Sequence, residues 1–248
     1  MLHDDNFVSK HSAKILHAAT ELGLVDVVTP LYNQYDYILI LGGARFSNLH
    51  RCAMAAKVVS DNRIRNCKVI SLGAMRPISD TERAAIDTYA PNAETEFDAL
   101  HAGMKTTFYQ DKDVEFFEEK HVDTNSNLSW CIREYQHAND NAHYLVAAPS
   151  SDHSRRANSA DAYEFFFERF QPKRGSRILL CTSSIYIPYQ HIRFFEYDIN
   201  YDVVSDMIGV DSSITQDVSL SKPVNYLQEM RSAILAMENF VKRFERFV

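Results

Sequence analysis

Short apolar runs alternate with amphipathic stretches along this chain, and the alternation is the main guide to its fold. Runs rich in branched and aromatic residues predict five strands, near residues 36–42, 67–73, 143–148, 177–183 and 201–208. Apolar residues recur at helical spacing over 48–59, over 158–170 and in the first and last segments of the chain. Strands that alternate with helices predict an α/β fold, with a Rossmann-like, mainly parallel sheet flanked by helices.

The middle of the chain, residues 76–141, lacks a strong strand signal. Two helical patterns occur there, near Asp80–Tyr89 and Glu94–Phe108, and the charged segment DKDVEFFEEK follows them. We therefore expect a mostly helical insertion or cap over the edge of the sheet. No internal repeat or low-complexity tract divides the sequence, so residues 1–248 are predicted to form a single α/β domain.

Composition narrows the choice of partners. The 248 residues include 26 Lys plus Arg and 33 Asp plus Glu, and the resulting formal charge of −7 argues against nonspecific binding to nucleic-acid phosphates. No stretch approaches the ~18 apolar residues of a membrane span, and the polar start of the sequence lacks the apolar region of a signal peptide. The four widely spaced cysteines and ten histidines form no metal-binding motif. These features predict a cytoplasmic protein with no nucleic-acid partner, no membrane span and no metal site.

Candidate ligand-binding residues follow the predicted strands. In open α/β sheets the ligand lies beyond the carboxyl ends of the strands, and parallel strands bring these ends to one edge. Two glycines after the first strand allow close backbone approach, and the helix that follows offers N–H groups to an anion. Arginines, hydroxyls and amides suited to a phosphate or a ribose follow the other strands. We predict that one cleft collects Gly42, Gly43, Arg45, Arg51, Gly73, Arg155, Arg156, Asn158, Ser159, Thr182, Ser183, Tyr186 and Tyr189.

Two acidic residues, Glu96 and Asp161, are the candidate catalytic groups. Each could contact ligand hydroxyls or act as a general base, although an acidic first helical turn alone also explains Glu96. On this hypothesis, Gly43→Val abolishes ligand binding and lowers the stability of the protein little more than a mutation in an ordinary turn does. Arg51→Met weakens an anionic ligand by ~1.5–3 kcal/mol if the arginine makes a charged hydrogen bond to it.

The order of these segments resembles the YdcF-like family, which includes the SanA and ElyC type of bacterial envelope-associated proteins. That family has a strand ending in Gly-Gly, a helix with an arginine, a Ser-Glu helix start, an Asn-Thr-x-Glu segment and a strand ending in Val-Thr-Ser. The matching segments here are Leu41-Gly42-Gly43, Arg51, Thr95-Glu96-Phe97-Asp98, Asn158-Ser159-Ala160-Asp161 and Cys181-Thr182-Ser183. Tyr186 and Tyr189 stand where the family has a histidine and an arginine. The resemblance implies a nucleotide-like or S-adenosylmethionine-like ligand more than a particular reaction.

A small-molecule binding protein or enzyme is the function that these observations favour. Its ligand would be nucleotide-like or S-adenosylmethionine-like, and its reaction would be group or phosphoryl transfer at the carboxyl ends of the strands. Two alternatives remain open. One is a noncatalytic interaction protein on a degenerate YdcF-like scaffold, suggested by Tyr186 and Tyr189. The other is a hydrolase of a phosphorylated small molecule, which differs only in using water as the acceptor.

Overall fold

The structure is a computed structural model that describes residues 5–26, 28–136, 140–210 and 218–244. Helices and strands alternate along most of these ranges. In chain order they are α1 (Asp5–Glu21), β1 (Tyr37–Leu41), α2 (Ser47–Asp61), β2 (Lys68–Ala74), α3 (Asp80–Ile86), α4 (Glu96–Tyr109), β3 (Phe116–His121), β4 (Trp130–Tyr135), β5 (Ala142–Ala148), α5 (Ser159–Phe170), β6 (Arg177–Ser183), α6 (Ile187–Tyr201), β7 (Val204–Val210) and α7 (Pro223–Phe244). Short 3-10 helices lie at Ser126–Leu128, Ser184–Tyr186 and Val218–Ser221.

The strands form one sheet in the order β3-β4-β5-β2-β1-β6-β7. The strands from β5 to β7 in this order are parallel, whereas β4 runs antiparallel to β5, and β3 runs antiparallel to β4. The prediction of a mainly parallel, Rossmann-like α/β sheet is confirmed. All five predicted strands are present, with bounds that differ from the predicted ones by at most three residues.

Side chains of the parallel strands alternate between two apolar layers. In β1, Ile38 and Ile40 pack on one face of the sheet with residues of α2 and α4. Leu39, between them, packs on the other face with Phe166 of α5 and Phe194 of α6. Burial on both faces explains why these strands read as continuous apolar runs in the sequence.

The middle segment differs from the expected mostly helical insertion. Both expected helices are present as α3 and α4, but β3 and β4 form a hairpin that extends the main sheet. Nearly all side chains of β3, with the sequence FFEEKH, are exposed, so this strand lacks the apolar alternation of a half-buried strand. In β4, the Arg133 guanidinium lies 4.7 Å from the ring centres of both Phe97 and Phe116. A charged residue thus occupies a position where the strand pattern leads one to expect an apolar residue.

Candidate functional site

The connections of the parallel sheet reverse direction between β1 and β6. The chain leaves β1 toward β2 on one side and leaves β6 toward β7 on the other. The loop after β1, residues 42–46, and the turn after β6, residues 184–186, therefore lie side by side at the carboxyl edge of the sheet. In open α/β sheets this reversal of strand order is where ligands bind.

Two clefts adjoin the loop of residues 42–46. The first, which we call the Glu96 cleft, has a volume of about 490 Å³, and the second, the Arg51 cleft, about 410 Å³. Both are lined by Gly42, Gly43, Ala44, Glu82 and Gln190. The Glu96 cleft adds Gly73, Arg76, Glu96, Arg156, Asn158, Ser159 and Tyr163. The Arg51 cleft adds Arg45, Ser47, Arg51 and Tyr186. The two clefts share one wall, so a single elongated molecule could occupy both.

Gly43 leaves no room for a side chain. Its backbone N–H donates to Asn48 Oδ1 at 2.8 Å, which fixes the loop onto the first turn of α2. A Cβ at this position would lie 2.9 Å from Ser47 Cβ and 3.0 Å from Arg51 Nη1. The need for glycine therefore comes from close packing. Because a valine would collide with Ser47 and Arg51, Gly43→Val costs more stability than the turn mutation expected from the sequence.

Arg51 supports the site from within the protein. It is 2% exposed, and its Nη1 donates to the carbonyl oxygens of Leu41 at 2.7 Å and Gly42 at 2.6 Å. Nε and Nη2 donate to Ser183 Oγ at 3.3 and 3.1 Å. Four of the five guanidinium N–H groups are thus used inside the protein, and burial lowers the pKa of Arg51. Arg51 was expected to be one of the anion contacts, but these bonds use it to join the ends of β1 and β6, so its replacement would first loosen those ends.

Glu96 is the acidic side chain that the structure places in a cleft. It is the first residue of α4 and is 9% exposed, and its Oε2 lies 3.5 Å from Arg76 Nε. A Cβ at Gly42 would lie only 2.4 Å from Glu96 Oε1, so the missing side chain of Gly42 makes space for this carboxylate. Burial raises the pKa of Glu96, and the charges of Arg76 and Arg51 oppose that rise. A carboxyl group with a raised pKa in a cleft is suited to general acid or base chemistry.

Arg76 joins Glu96 to a second carboxylate. Arg76 Nη1 and Nη2 donate to the two oxygens of Glu82, each at 2.8 Å. The arginine and the capping contacts with Ser79 hold the pKa of Glu82 at about 2, although burial opposes this. Glu82 therefore stays ionised and fixes Arg76, and Arg76 in turn faces Glu96 at the cleft wall.

At the start of α5 the structure separates residues that are neighbours in the sequence. Arg156, Asn158 and Ser159 line the Glu96 cleft. Arg155 instead pairs with Asp161, with Nη2 donating to Oδ1 at 3.0 Å. Asp161 also accepts from the backbone N–H groups of Asn158 and Ser151, at 2.8 and 3.0 Å, and lines neither cleft. The candidate catalytic role of Asp161 is thus corrected to a structural one, and Arg155 does not reach the clefts.

The residues after β6 also divide into supporting and lining side chains. Thr182 is fully buried, and Ser183 accepts the hydrogen bonds from Arg51. Tyr186 lines the Arg51 cleft, with its ring centre 5.8 Å from the Arg51 guanidinium carbon. Tyr189 lines neither cleft, whereas Gln190, the next residue, lines both.

Helix capping differs around the sheet edge. Helices α3, α4 and α5 each begin with a complete capping box, formed by Ser79 with Glu82, Thr95 with Asp98 and Asn158 with Asp161. The N-cap residues of α2 and α6, Phe46 and Tyr186, make no side-chain hydrogen bond to their helices. These two helices follow β1 and β6, the strands that flank the reversal of strand order.

Four polar side chains that line the Glu96 cleft were absent from the sequence-based site: Arg76, Glu82, Tyr163 and Gln190. Arg76 lies two residues after the end of β2, and the rule applied to the other loops would have included it. Ser79 and Glu82 have the spacing of a capping box, which indicates a helix start near the same edge. Tyr163 and Gln190 lie about one turn inside α5 and α6, and no local motif marks them.

No group of three or more His, Cys, Asp or Glu side chains within the described ranges is arranged to hold a metal ion. Among the helices in these same ranges, none combines the length and apolar character needed to cross a membrane.

The fold and the clefts define a Rossmann-like α/β protein with a candidate ligand site at the reversal of strand order. The chain is 26% identical over 245 residues to the uncharacterized protein Rv3785 of Mycobacterium tuberculosis strain H37Rv, covering 96% of this chain and 68% of that protein. The uncharacterized protein Mb3814 of Mycobacterium bovis matches with the same identity and coverage. No family model and no solved structure matches the chain. The resemblance to the YdcF-like family stays a prediction.

Proposed function

We propose that this chain binds a small, phosphate-bearing, nucleotide-like molecule in the two joined clefts and transfers a group to or from it. The observation that carries the proposal is the difference in helix capping. Helices α2 and α6 start without a side-chain cap at the reversal of strand order, although the N–H groups of Ser47 and Ile187 donate to the carbonyls of Ala44 and Ser184. Helices α3, α4 and α5 are capped by their own side chains. Uncapped N–H groups and the positive end of a helix dipole attract an anion, and a phosphate is the anion most often held in this way.

A second observation supports a ligand at the same place. The Tyr163 hydroxyl and Gln190 Oε1 are buried and have no hydrogen-bond partner within the described ranges, although both residues line the Glu96 cleft. Buried polar atoms are normally paired, so these two are available to hydroxyl or amine groups of a ligand. Arg156, exposed at the cleft wall, supplies a cation for a phosphate.

Glu96 is the residue that we assign to the chemical step. Its buried carboxyl group would take a proton from the attacking group or give one to the leaving group, and Arg76 would hold it in position. If the acceptor is water, the same arrangement makes the protein a hydrolase of a phosphorylated small molecule. The four cysteines are all buried free thiols, which supports the reducing, cytoplasmic location that we include in this proposal.

Thermal stabilisation by a panel of ligands tests the binding step. A ligand at ~100 times its dissociation constant adds ~2.7 kcal/mol to the free energy of unfolding, so nucleoside mono-, di- and triphosphates should raise the melting temperature measurably. The absence of a shift with every nucleotide would contradict the proposal. A larger shift with S-adenosylmethionine than with any nucleotide would indicate that the ligand carries a carboxylate and not a phosphate.

Arg156→Ala and Lys173→Ala form a matched pair for the same assay. Both remove one exposed cation, but Lys173 precedes β6 and lies at the opposite edge of the sheet. Because a charged hydrogen bond contributes ~1.5–3 kcal/mol, Arg156→Ala should weaken a phosphate ligand by about tenfold or more, and Lys173→Ala should leave it unchanged. Glu96→Gln should retain binding and lose turnover. Binding without turnover in the parent protein would instead favour a noncatalytic binding protein.

A further inference from the structure

The outer edge of the sheet at β3 is open. β3 is the last strand in the sheet order, and its only neighbour within the described ranges is β4. Five of its six side chains are exposed. The exposed side chains include Phe117 at 68%, and Val122 just beyond the strand is exposed at 75%. An exposed edge strand with apolar side chains is a template for pairing with another strand.

The β3–β4 hydrogen bonds show which backbone groups point away from the protein. The N–H of Gln136 donates to the carbonyl of Glu115 at 2.8 Å, and the register of the hairpin places these two residues directly opposite each other. Hydrogen-bonded pairs alternate along an antiparallel ladder. Residues 117, 119 and 121 therefore bond to β4, while residues 116, 118 and 120 direct their N–H and C=O groups outward.

We propose that β3 pairs antiparallel with β3 of a second copy of this chain, about a two-fold axis that passes beside Glu119. In this register the outward backbone groups of Glu118 meet those of Lys120 in the second copy. Within each copy Lys120 Nζ already donates to Glu118 Oε1 at 2.7 Å, and Arg133 Nε donates to Glu118 Oε2 at 2.7 Å. The proposed register joins the two Glu118–Lys120 pairs into one cluster of alternating charge across the strands, and Phe117 lies opposite His121 in both directions. Opposite charges and aromatic groups facing each other across strands are favourable.

This register brings one pair of like charges together, the two Glu119 side chains, and each of them has a cationic partner in its own copy. Glu119 faces Glu119 of the second copy, but the Glu119 Oε1 atom lies 2.7 Å from Arg169 Nη2 of its own chain. Centring the axis on Glu118 instead would place two Glu118 carboxylates together and set Phe117 against Glu119. Charge complementarity thus favours the register centred on Glu119 over the one centred on Glu118.

Sedimentation velocity of the full chain tests the pairing. The parent protein should sediment as a dimer, and Lys120→Pro should raise the dimer dissociation constant by about tenfold or more, because proline removes an outward N–H and spares the bonds to β4. Lys120→Ala keeps the N–H and should have a smaller effect. A monomeric parent, or a dimer unaffected by Lys120→Pro, would overturn the proposal.

Cross-linking tests the register and does not depend on the proline variant. In the proposed dimer the two Glu119 residues form a non-hydrogen-bonded pair with Cα atoms ~4.5 Å apart, which is within the range of a disulfide. Glu119→Cys should form a covalent dimer under mild oxidation, whereas Phe117→Cys, opposite His121, should not. The native cysteines are all buried, so the introduced thiol is the exposed one. Equal cross-linking of the two variants, or faster cross-linking of Glu118→Cys, would refute this arrangement.

Discussion

Helices α4 and α5 begin at the same edge of the sheet with the same capping arrangement, yet they use their acidic residues differently. In each helix the third residue, Asp98 or Asp161, completes the capping box. The first residue, Glu96 or Ser159, lines the Glu96 cleft. Whether a side chain faces the cleft therefore depends on its position in the first turn of the helix. An acidic side chain at the third position caps the helix instead.

The two candidate acids also have opposite pKa shifts. Hydrogen bonds from Arg155, Ser151 and the backbone hold the pKa of Asp161 below its usual range, although burial opposes them. Burial raises the pKa of Glu96, because the nearby arginines compensate for only part of its desolvation. The ionised carboxylate of Asp161 thus stabilises the fold. The ionised carboxylate of Glu96 destabilises it, and groups of that kind are found at functional sites.

Replacing Asp161 with alanine should produce the largest effect on stability. The variant loses the cap of α5 and leaves Arg155 and the Ser151 N–H without their acceptor, so we expect the free energy of unfolding to fall by ~2–3 kcal/mol. Urea denaturation measures the change. Asp98→Ala is the matched control, since Asp98 caps α4 without an arginine partner, and should cost ~1 kcal/mol. Equal losses in the two variants would show that the arginine partner of Asp161 adds nothing to its cap.

Replacing Glu96 with glutamine should have the opposite sign. Removing a buried carboxylate at a functional site should stabilise the protein at pH 7 by ~1 kcal/mol. Because the pKa of Glu96 is raised on folding, its destabilising effect grows as pH rises above the ordinary value of 4.5 and is absent below it. The gain from Glu96→Gln should therefore disappear on acidification below about pH 4.5. A loss of stability at pH 7 would show that Glu96 is held like Asp161, and a gain that persists at pH 4 would show that the charge of Glu96 is not what destabilises the protein.

Ser159→Ala should have the smallest effect on stability. Ser159 is the first residue of α5 and does not cap it, so the free energy of unfolding should change by less than ~0.5 kcal/mol. If its hydroxyl contacts the proposed ligand, affinity should fall by about three- to tenfold. Ser232→Ala, on the exposed surface of α7, should leave affinity unchanged in the same titration. If Ser159→Ala lost as much stability as Asp161→Ala, the first and third residues of α5 would contribute equally to the stability of the helix start.

The parallel part of the fold could be predicted because burial on both faces makes those strands apolar throughout. β1, with the sequence YILIL, is buried at every position. β3 and β4 were missed for the converse reason: β3 is exposed, and Arg133 in β4 is balanced by Glu118, Phe97 and Phe116, which lie elsewhere in the chain. Such long-range compensation leaves no periodic signal in a single sequence.

The location of the site could be predicted more completely than its side chains. Parallel strands bring their following loops to one edge, so Gly43, Glu96 and Arg156 meet there. The orientation of single residues depends on packing, which separates Arg155 from Arg156 and turns Gln190 to the clefts in place of Tyr189. The spacing of Asn158 and Asp161 already matched a capping box, and that signal would have removed Asp161 from the catalytic candidates.

The lack of side-chain caps on α2 and α6 also affects how easily these helix starts open. Without a side-chain acceptor, the first turns of these helices fray more readily than those of α3, α4 and α5, so their amide hydrogens should exchange with solvent faster. An anion bound between them would slow exchange in both turns together. The helices pack on opposite faces of the sheet, so one small ligand would couple the local unfolding of two segments that are about 140 residues apart in the chain.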